Sequence, residues 1–458
     1  MKQRYYLLFL LLPLFIVTAA DAQQQSRQTL LWRISGNGLQ KPSYLYGTMH
    51  LYNRKLFYFG DSVYHSMEST DGFAMEIDPN DMMDSTFSRL FSADTTSLLR
   101  KILDKEKYDS VSDELEKKFG MPANKITRRK LIEEREGWYY KFRQKDDMKT
   151  FMDLYLYDIA RKQGKWVGGI EDVNDQINIK DELGKDINIV DYLKETDNDR
   201  KKSLDNMVEI YIDQDIDKIE RISSAGPQEQ RDILLLNRNN KMARRIDSIM
   251  RIRTCFFAIG AAHLPGDSGV ISLLMKRGFE VTPVFSSKKI NPDKYKYEAK
   301  EIPWVNFVDP DSTYTVNVPG RVSNMDLYGG EIKFKICADL TASNFYMTTS
   351  VFASDRDPEE ALEMMQKNYS SGEFKSISQK RITRGTIPGF EMLSEKDGIY
   401  FRMQAFVYKN RYYLAIAGCL RRINTESEDF DRFLNSFTIN PNPPSKVGGW
   451  IDFTDEQK

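Results

Sequence analysis

Histidine and cysteine are scarce in this chain, which has three of each among 458 residues. Three cysteines are too few for a zinc ribbon or a dense disulfide framework. An excess of one charge is also missing, since 66 Lys+Arg stand against 67 Asp+Glu. The basic excess that indicates general nucleic-acid binding is therefore absent, and we expect no nucleic-acid partner. Any imidazole chemistry must use His50, His65 or His263.

Several catalytic signatures are missing as well. The sequence contains no Gly-x-Ser-x-Gly elbow, no P-loop and no His-Glu-x-x-His motif. Serine-hydrolase, nucleotide-binding and zincin functions therefore lack the residues that they need. What is present is an ordinary globular composition, with 41% hydrophobic and 29% charged residues. A chain of this length is expected to form two or three domains.

The first 22 residues have the pattern of a secretory signal peptide. Lys2 and Arg4 precede an apolar run over 5–19, and Ala20-Asp21-Ala22 matches a signal-peptidase site. A membrane anchor is the alternative, but an apolar run of about 15 residues is shorter than the roughly 20 that span a bilayer. We expect residues 1–22 to be removed, leaving a mature chain without a membrane span that is periplasmic or secreted.

Short apolar segments alternate with long charged segments from about residue 28 to residue 286. The apolar segments are typical of strands and cover residues 43–46, 72–77, 166–170, 254–259 and 280–284. Apolar residues at helical spacing predict helices over 97–108, 130–142, 147–162 and 187–222. Strands separated by helices predict an α/β fold with a mainly parallel sheet and a large helical insertion between the second and third strands.

The sequence pattern changes after residue 286. Residues 287–311 lack periodicity, which predicts a linker. Residues 312–440 predict a smaller α+β domain on an antiparallel sheet, in which Lys409-Asn410 is a candidate hairpin turn. Its strands are expected at 314–318, 331–337, 346–352, 399–408 and 412–419, and its helices at 358–369 and 427–437. Residues 441–458 carry three prolines and predict a flexible tail.

Two segments of the first domain repeat one layout of strand, Gly-x-x-His-Leu, helix and strand. The first contains Gly47 and His50, and the second contains Gly260 and His263. Chance places two of three histidines at this spacing in roughly 1% of cases. A glycine lets the chain turn sharply off a strand, and parallel strands bind ligands at their carboxyl ends. Both histidines are therefore expected at the same edge of the sheet.

Glu76 is expected to join the two histidines because it ends the next strand, after Phe73-Ala74-Met75. Two imidazoles and one carboxylate are the ligand set of a hydrolytic metal site with an open water position. A metal there lowers the pKa of bound water and polarises a carbonyl. Asp78 is a further candidate ligand or a partner that holds a histidine. The alternative is that each histidine only caps or packs at a strand end. His65 lies in a predicted helix over 61–68, where a surface or packing role is expected.

These residues resemble the TraB/GumN family, which includes the Tiki metalloproteases. The resemblance covers residues 28–286 and rests on an ordered set of short motifs. The matching residues are Tyr46-Gly47-Thr48-Met49-His50, Glu76-Ile77-Asp78, Gly169-Ile170-Glu171 with Gln176, Arg238-Asn239 with Met242, and Ile259-Gly260-Ala261-Ala262-His263-Leu264-Pro265-Gly266.

The resemblance implies an α/β fold related to the erythromycin esterases and the haem-binding ChaN lipoproteins, with the active site at the two Gly-x-x-His turns. It implies a core of His50, Glu76 and His263 as metal ligands. By likeness to the Tiki proteins, it implies peptide cleavage with a divalent metal, manganese or cobalt. Glu76, Glu171 and Arg238 are the implied catalytic residues. Glu171 would act as a base or supporting acid, and Arg238 would bind a carboxylate or stabilise negative charge.

The expected function is an exported metal-dependent hydrolase, most simply a peptidase acting on a peptide or protein substrate. Two alternatives stay open. One is a non-catalytic haem- or metal-binding protein of the ChaN type. The other is a metal-independent esterase in which a histidine acts as general base with Glu76.

The second domain resembles PsbP-like α+β modules of exported proteins in its order of strands and helices. The resemblance implies a role in binding a partner or substrate rather than in catalysis. Cys337 and Cys419 both fall in its predicted strands, and in an oxidising compartment they either pair or stay free. Cys255 precedes the second histidine turn and is expected to be a buried, inert thiol.

Overall fold

The computed structural model describes residues 28–444, except for 82–97, 128–129, 132–133, 135–136, 174, 177–188, 226–227, 328–331, 340, 353–356, 372–373 and 397. The expected signal peptide and residues 445–458 of the expected tail lie outside this range. The described chain divides into two compact units. The first comprises the residues up to Lys300 apart from 79–81, and the second comprises residues 79–81 and those from Glu301 on.

The first unit is built on a six-stranded, mainly parallel sheet. Its strands are β1 (Leu31–Ser35), β2 (Ser43–Thr48), β3 (Gly72–Met75), β4 (Trp166–Gly169), β5 (Cys255–Gly260) and β6 (Glu280–Pro283). Their order across the sheet is β4-β3-β5-β2-β1-β6. β1 is antiparallel to both of its neighbours, β2 and β6, and the other three pairs are parallel. The predicted α/β fold is confirmed, and the five predicted strands begin and end within two residues of their expected ranges.

The apolar strand β5 lies at the centre of the sheet. Its residues from Cys255 to Ile259 are completely buried, as expected for a parallel strand covered on both faces. β1 was not predicted from the sequence. It is only five residues long, and it pairs with β6, which follows it by about 250 residues, so no local pattern marks it.

Ten helices of the first unit surround this sheet in the described chain. They are α1 (Asp61–Glu68), α2 (Leu99–Ile102), α3 (Lys105–Phe119), α4 (Met152–Lys162), α5 (Ile189–Lys194), α6 (Asp197–Ile212), α7 (Ile216–Ser223), α8 (Gln228–Arg231), α9 (Asn237–Met250) and α10 (Val270–Lys276). Helices α2, α3 and α4 lie between β3 and β4, which confirms the predicted helical insertion. Helices α5 to α9 form a second helical run between β4 and β5.

The long helix predicted over residues 187–222 is divided into three helices. Thr196 and Asp199 form a reciprocal capping box at the start of α6, and Asp215 caps the start of α7. Each cap satisfies backbone N–H groups that would otherwise lack partners, so a new helix begins there. The helix predicted over 130–142 is described only in part and ends in a 3-10 turn at Trp138–Phe142.

The second unit contains a seven-stranded and a three-stranded antiparallel sheet. Its strands are β7 (Val305–Val308), β8 (Tyr314–Val318), β9 (Ser323–Leu327), β10 (Ile332–Asp339), β11 (Asn344–Phe352), β12 (Lys375–Arg384), β13 (Ile387–Lys396), β14 (Ile399–Tyr408), β15 (Arg411–Cys419) and β16 (Thr438–Ile439). The large sheet has the order β12-β13-β14-β15-β11-β10-β9, and the small sheet has the order β16-β8-β7. The predicted antiparallel domain is confirmed.

Two apolar cores lie on opposite faces of the large sheet. Helix α11 (Pro358–Ser371) supplies Leu362 and Met365 to one core, and helix α12 (Glu428–Ser436) supplies Phe430 and Phe433 to the other. Successive residues of β15 alternate between the two cores, as the two-residue period of a strand requires. The unit therefore has three layers.

Lys409 and Asn410 join β14 to β15, and both adopt positive φ, at 48° and 55°. This is the backbone of a type I′ turn, so the predicted hairpin is confirmed. β9, β12, β13 and β16 were not predicted. β12 is mostly exposed along its length, and a strand without a buried face gives no apolar alternation. Residues 287–311 were expected to be a linker, yet they contain β7, which pairs with β8.

The three cysteines are buried, and none of them forms a disulfide in the described chain. Cys337 on β10 pairs with Tyr346 on β11. Cys419 on β15 pairs with Asn344, which also lies on β11, so β11 runs between the two cysteines. One whole strand therefore separates the two thiols, whereas a disulfide needs Cα atoms within about 7 Å. The structure therefore forms no disulfide between them, and Cys255 is buried as expected. In the described part of the chain, no helix is both long enough and apolar enough to cross a membrane.

Candidate functional site

Three adjacent parallel strands bring His50, Glu76 and His263 together. His50 follows β2, His263 ends the 3-10 turn after β5, and Glu76 directly follows β3. Because β5 pairs with β2 on one side and with β3 on the other, the three side chains meet at the carboxyl ends of neighbouring strands. The predicted edge of the sheet is the one observed.

One carboxylate oxygen lies close to both imidazoles. Glu76 Oε1 is 3.8 Å from Nε2 of His50 and 3.7 Å from Nε2 of His263. The two Nε2 atoms are therefore at most about 7.5 Å apart, whereas one ion with metal–nitrogen bonds near 2 Å needs them within about 4 Å of each other. Glu76 Oε1 also accepts a hydrogen bond from the backbone N–H of Gly260, at 2.7 Å.

Each imidazole is held in place through its other nitrogen. His50 Nδ1 donates to Asp153 Oδ2 at 2.8 Å, and the other Asp153 oxygen accepts from the Thr48 hydroxyl. His263 Nδ1 donates to Asn239 Oδ1 at 2.6 Å, while the amide nitrogen of Asn239 donates to the carbonyl of Ser268. Both Nε2 atoms thus face Glu76, the arrangement that outer partners impose on metal-binding histidines.

Asp153 was not predicted to be a site residue, because it lies 103 positions beyond His50, in the helix predicted over 147–162. Nothing in the local sequence around Met152-Asp153-Leu154 marks it, since it is one acid among many. Its complete burial is the signal that identifies it in the structure. Asp78 was the sequence candidate for holding a histidine, but Asp153 and Asn239 are the residues that contact the two Nδ1 atoms. His65 lies on α1 with an exposed side chain, as expected.

Gly260 leaves room beside the three side chains. A Cβ atom at this position would lie 3.1 Å from Glu76 Oε1, 3.5 Å from His263 Cδ2 and 3.7 Å from His50 Nε2. Its φ of −52° and ψ of 131° are open to any residue, so the expectation that this glycine permits a sharp turn was wrong. Glycine is needed here for space, because a methyl group would occupy the point toward which the three groups converge.

Arg238 links Glu76 to Glu171. Its Nη2 donates to Glu76 Oε2 at 2.7 Å and to Glu171 Oε2 at 2.6 Å, and its Nε donates to Glu171 Oε1 at 2.8 Å. Gln176 donates to the same two carboxylates. Both oxygens of Glu171 are thus engaged by Arg238. Arg238 is neutralised by two carboxylates, and Glu76 keeps Oε1 directed at the imidazoles.

Helix α9 presents Arg238 and Asn239 on consecutive positions to different partners. A π-helical turn, Asp232–Leu236, leads directly into this helix. π-helical turns insert one extra residue, shift the register of the residues that follow, and occur frequently at functional sites. Arg238 stays tied to this turn because its Nη1 donates to the carbonyl of Leu234.

The charges around the site produce opposite pKa shifts. The carboxylate of Asp153 raises the pKa of His50 well above its usual value, outweighing the effect of burial. Burial lowers the pKa of His263 to about 4. Burial alone would raise the pKa of Glu76, but His50, His263 and Arg238 together hold it well below its usual range. Glu76 is therefore ionised at neutral pH.

Among the three converging side chains of the described chain, that of His50 is the most exposed. The His50 side chain is 52% exposed, whereas the side chains of His263 and Glu76 are only 6% and 7% exposed. Glu171 is buried as well. A substrate can therefore approach the three converging groups from the side of His50.

Comparisons with solved structures give low overall similarity. Cyanobacterial PsbP (CyanoP) from Synechocystis sp. PCC 6803 is 10% identical over 32% of this chain and 99% of that chain, with a TM-score of 0.25, and the likeness falls in the C-terminal region. A protein of unknown function from Pseudomonas aeruginosa, described as a putative regulator, is 10% identical over 31% of this chain and 99% of that chain, with a TM-score of 0.22. A search of curated proteins gave no match.

Comparison with family models assigns the first unit. The model of the TraB/PrgY/gumN family matches residues 30–283, more than half of the chain. The match includes both Gly-x-x-His turns, Glu76, Glu171 and Arg238. The resemblance noted in the sequence is thereby confirmed, and the chain belongs to the TraB/PrgY/gumN family.

Proposed function

We propose that the protein is an exported, metal-dependent hydrolase that cleaves peptide bonds. His50, Glu76 and His263 would hold a divalent ion, for which manganese and cobalt are the first candidates. Asp153 and Asn239 would orient the two imidazoles. A mixed set of imidazole and carboxylate ligands suits these metals.

One observation carries this proposal: two hydrogen-bond acceptors face each other across a short gap. Asn239 Oδ1 can only accept, so His263 carries its proton on Nδ1, and its Nε2 directs a lone pair at Glu76 Oε1 from 3.7 Å. Two such atoms repel each other unless a cation or a hydrogen-bond donor lies between them. A divalent ion satisfies both acceptors, and it takes Nε2 of His50 as a ligand once that nitrogen has lost its proton.

The three side chains would have to draw closer together to hold such an ion. In the chain as far as it is described, no three His, Cys, Asp or Glu side chains form a ready-made metal cluster. The separations of 3.7 and 3.8 Å exceed by a few tenths of an ångström the roughly 3.4 Å between tetrahedral ligand atoms with bonds near 2.1 Å. The half-exposed side chain of His50 has room for that shift, and Gly260 leaves the space open.

A bound divalent ion supplies an acidified water and a polarised substrate carbonyl for amide hydrolysis. The side chains of this chain supply position and charge. Arg238 keeps Glu76 ionised and oriented, and Glu171 holds Arg238 in turn. Because Arg238 engages both oxygens of Glu171, we assign these two residues a positioning role. A peptide enters from the side of His50, since the opposite side is closed by His263.

The proposal is tested by metal analysis combined with a peptidase assay. The protein is purified, stripped with a chelator, and reloaded with manganese or cobalt. We expect about one ion per chain and peptide cleavage that is lost on stripping and restored on reloading. His50→Ala, His263→Ala and Glu76→Gln should lose both the ion and the activity, whereas His65→Ala should keep both.

Other outcomes would favour the rival functions. Hydrolysis that survives exhaustive chelation would support a metal-independent esterase with a histidine as general base. A Soret band after addition of haem, without hydrolysis of peptides, would support a non-catalytic haem-binding protein. Either result would contradict the metal-dependent hydrolase.

The proposed location outside the cytoplasm rests on the first 22 residues alone. Their charged start, apolar run and Ala20-Asp21-Ala22 are supporting features. N-terminal sequencing of the protein from its native compartment should begin at Gln23. A mature chain that begins at Met1 would contradict cleavage and favour the membrane anchor.

A further inference from the structure

A row of aromatic side chains begins at His50 and leads away from the site. The ring of Phe151 lies 6.2 Å from that of His50, and the ring of Tyr52 lies 6.3 Å from that of Phe151, both edge-on. Tyr140 follows at 5.6 Å from Tyr52, and Tyr139 stacks on Tyr140 at 4.5 Å. We call Tyr52, Phe151, Tyr140 and Tyr139 the aromatic wall.

The aromatic wall is attached to the same segments that position His50. Tyr52 lies two residues beyond His50, and Phe151 lies two residues before Asp153, which holds the His50 ring. The backbone N–H of Met148 donates to the carbonyl of Tyr52 at 2.8 Å and ties the two segments together. The wall is therefore fixed relative to His50.

The aromatic wall is partly exposed on the open side of the site. Tyr140 is 50% exposed, and the other three rings are partly buried. Contiguous exposed apolar surface is uncommon on soluble proteins and often marks a binding site. The row therefore provides a surface on which a chain entering toward His50 can lie.

The polar atoms of the aromatic wall are mostly satisfied within the wall itself. The hydroxyl groups of Tyr52 and Tyr140 lie 3.3 Å apart and pair with each other. Burial raises the pKa of Tyr52, so its phenol stays neutral. The guanidinium of Arg143 lies 4.2 Å above the Tyr52 ring, and Asp147 lies 4.0 Å from Arg143 and offsets its charge. The wall thus offers ring faces and edges rather than net charge.

We propose that the aromatic wall binds an aromatic or other large apolar side chain of the peptide substrate, at a residue next to the bond that is cleaved. Ring pairs at these separations stabilise a complex beyond the area that they bury. The proposed peptide occupant is favoured by the continuity of the wall with His50 and by its lack of net charge. The inference rests on the proposed function, because it names the substrate class of that site.

The test measures binding separately from cleavage. Capped pentapeptides with a central Phe, Ala or Glu are titrated into the full-length protein stripped of metal, and affinity is measured by calorimetry. The Phe peptide should bind roughly tenfold more tightly than the Ala peptide, the discrimination expected of an apolar pocket. With metal, a peptide library read by mass spectrometry should be cut next to aromatic or large apolar residues.

The variants Tyr140→Ala and Phe285→Ala form a matched pair, because both residues are aromatic and 50% exposed. Tyr140→Ala should lose most of the preference for the Phe peptide while metal affinity stays unchanged. Phe285→Ala, which lies outside the wall, should keep the preference, and Tyr140→Phe should retain it because the ring remains.

The outcomes separate this inference from the proposed function. Equal binding of the Phe and Ala peptides, or equal loss in Tyr140→Ala and Phe285→Ala, would overturn the aromatic wall as a substrate site even if peptides are cleaved. Preferential binding of the Phe peptide without any cleavage would contradict the proposed peptidase activity but support the aromatic wall as a peptide-binding site. A change in self-association instead of peptide affinity in Tyr140→Ala would assign the wall to a dimer contact and overturn the inference.

Discussion

Asp153 and Asn239 make two identical side chains behave differently. Asp153 is a buried acid that hydrogen-bonds to His50 and raises its pKa, whereas Asn239 is neutral and leaves burial to lower the pKa of His263 to about 4. At neutral pH and without metal, His50 therefore carries a proton on each nitrogen and His263 carries one on Nδ1 alone. Nε2 of His263 can bind a metal ion directly, whereas Nε2 of His50 must first lose its proton.

Metal uptake should therefore release a proton from His50. Since the pKa of His50 is raised, metal affinity should increase as pH rises and level off only above that raised pKa. Asp153→Asn removes the charge that raises the pKa of His50. Fewer protons should therefore be released on metal binding near neutral pH, and the pH dependence of metal affinity should move to lower pH. Calorimetric titration in buffers of different ionisation enthalpy counts the protons. Equal proton release by the wild type and Asp153→Asn would contradict this account.

Asn239 offers a prediction with a matched control one residue away. Asn239→Ala removes the acceptor that fixes the His263 proton on Nδ1, and the loss of such a partner typically costs 10- to 100-fold in metal affinity, so we expect roughly that reduction. Asn240→Ala removes a side chain that donates only to the carbonyl of Leu236, and its metal affinity should match that of the wild type. Competition with a chromogenic chelator measures both. Similar affinities for the two variants would exclude the orienting role.

The two glycine turns look equivalent in the sequence but meet different constraints in the structure. At Gly47, a Cβ atom would lie 2.7 Å from Leu264 Cδ1 and 3.1 Å from the backbone Cα of Ala261. At Gly260, it would face the three side chains of the site instead. One glycine permits close packing of two turns, and the other keeps the site open.

These constraints predict opposite effects of the same substitution. Gly47→Ala should destabilise the fold by about 1–3 kcal/mol, the usual cost of overpacking, and lower the melting temperature. Gly260→Ala should change the melting temperature less and weaken metal binding roughly tenfold or more, since Glu76 Oε1 must yield to the methyl group. Thermal unfolding of the stripped proteins and metal titration separate the two effects. Loss of metal affinity in Gly47→Ala alone would reverse the assignment.

Elements with a strong local pattern were predictable from the sequence, and those without one were not. β5 is a continuous apolar run, and the hairpin at Lys409-Asn410 has residues that tolerate positive φ. β1 and β12 become strands only through pairing. The same contrast holds at the site, where repetition marked His50 and His263, whereas Asp153 is recognised from the structure by its burial and its contact with His50.

The two units of the molecule have cores of their own. Phe433 is buried in a core formed entirely by residues of the second unit, whereas Phe57 is buried in the first unit. Phe→Ala in a core costs roughly 3–5 kcal/mol. A substitution in one unit should therefore act mainly on the unfolding of that unit.

Calorimetry of the stripped full-length protein should resolve two transitions. Phe433→Ala should lower one melting temperature and leave metal affinity unchanged, and Phe57→Ala should lower the other. The metal should raise only the transition that Phe57→Ala shifts, because the ligands lie in the first unit. A single transition that both variants shift equally would show that the two units unfold together.

The position of the site at the ends of β2, β5 and β3 affects how the protein binds and releases the ion. These strands are joined by main-chain hydrogen bonds, so the ligand positions are set by the sheet rather than by the metal. Little chain entropy remains to be lost on binding. The empty protein should therefore keep a preorganised site and exchange its ion reversibly with the surroundings while remaining fully folded.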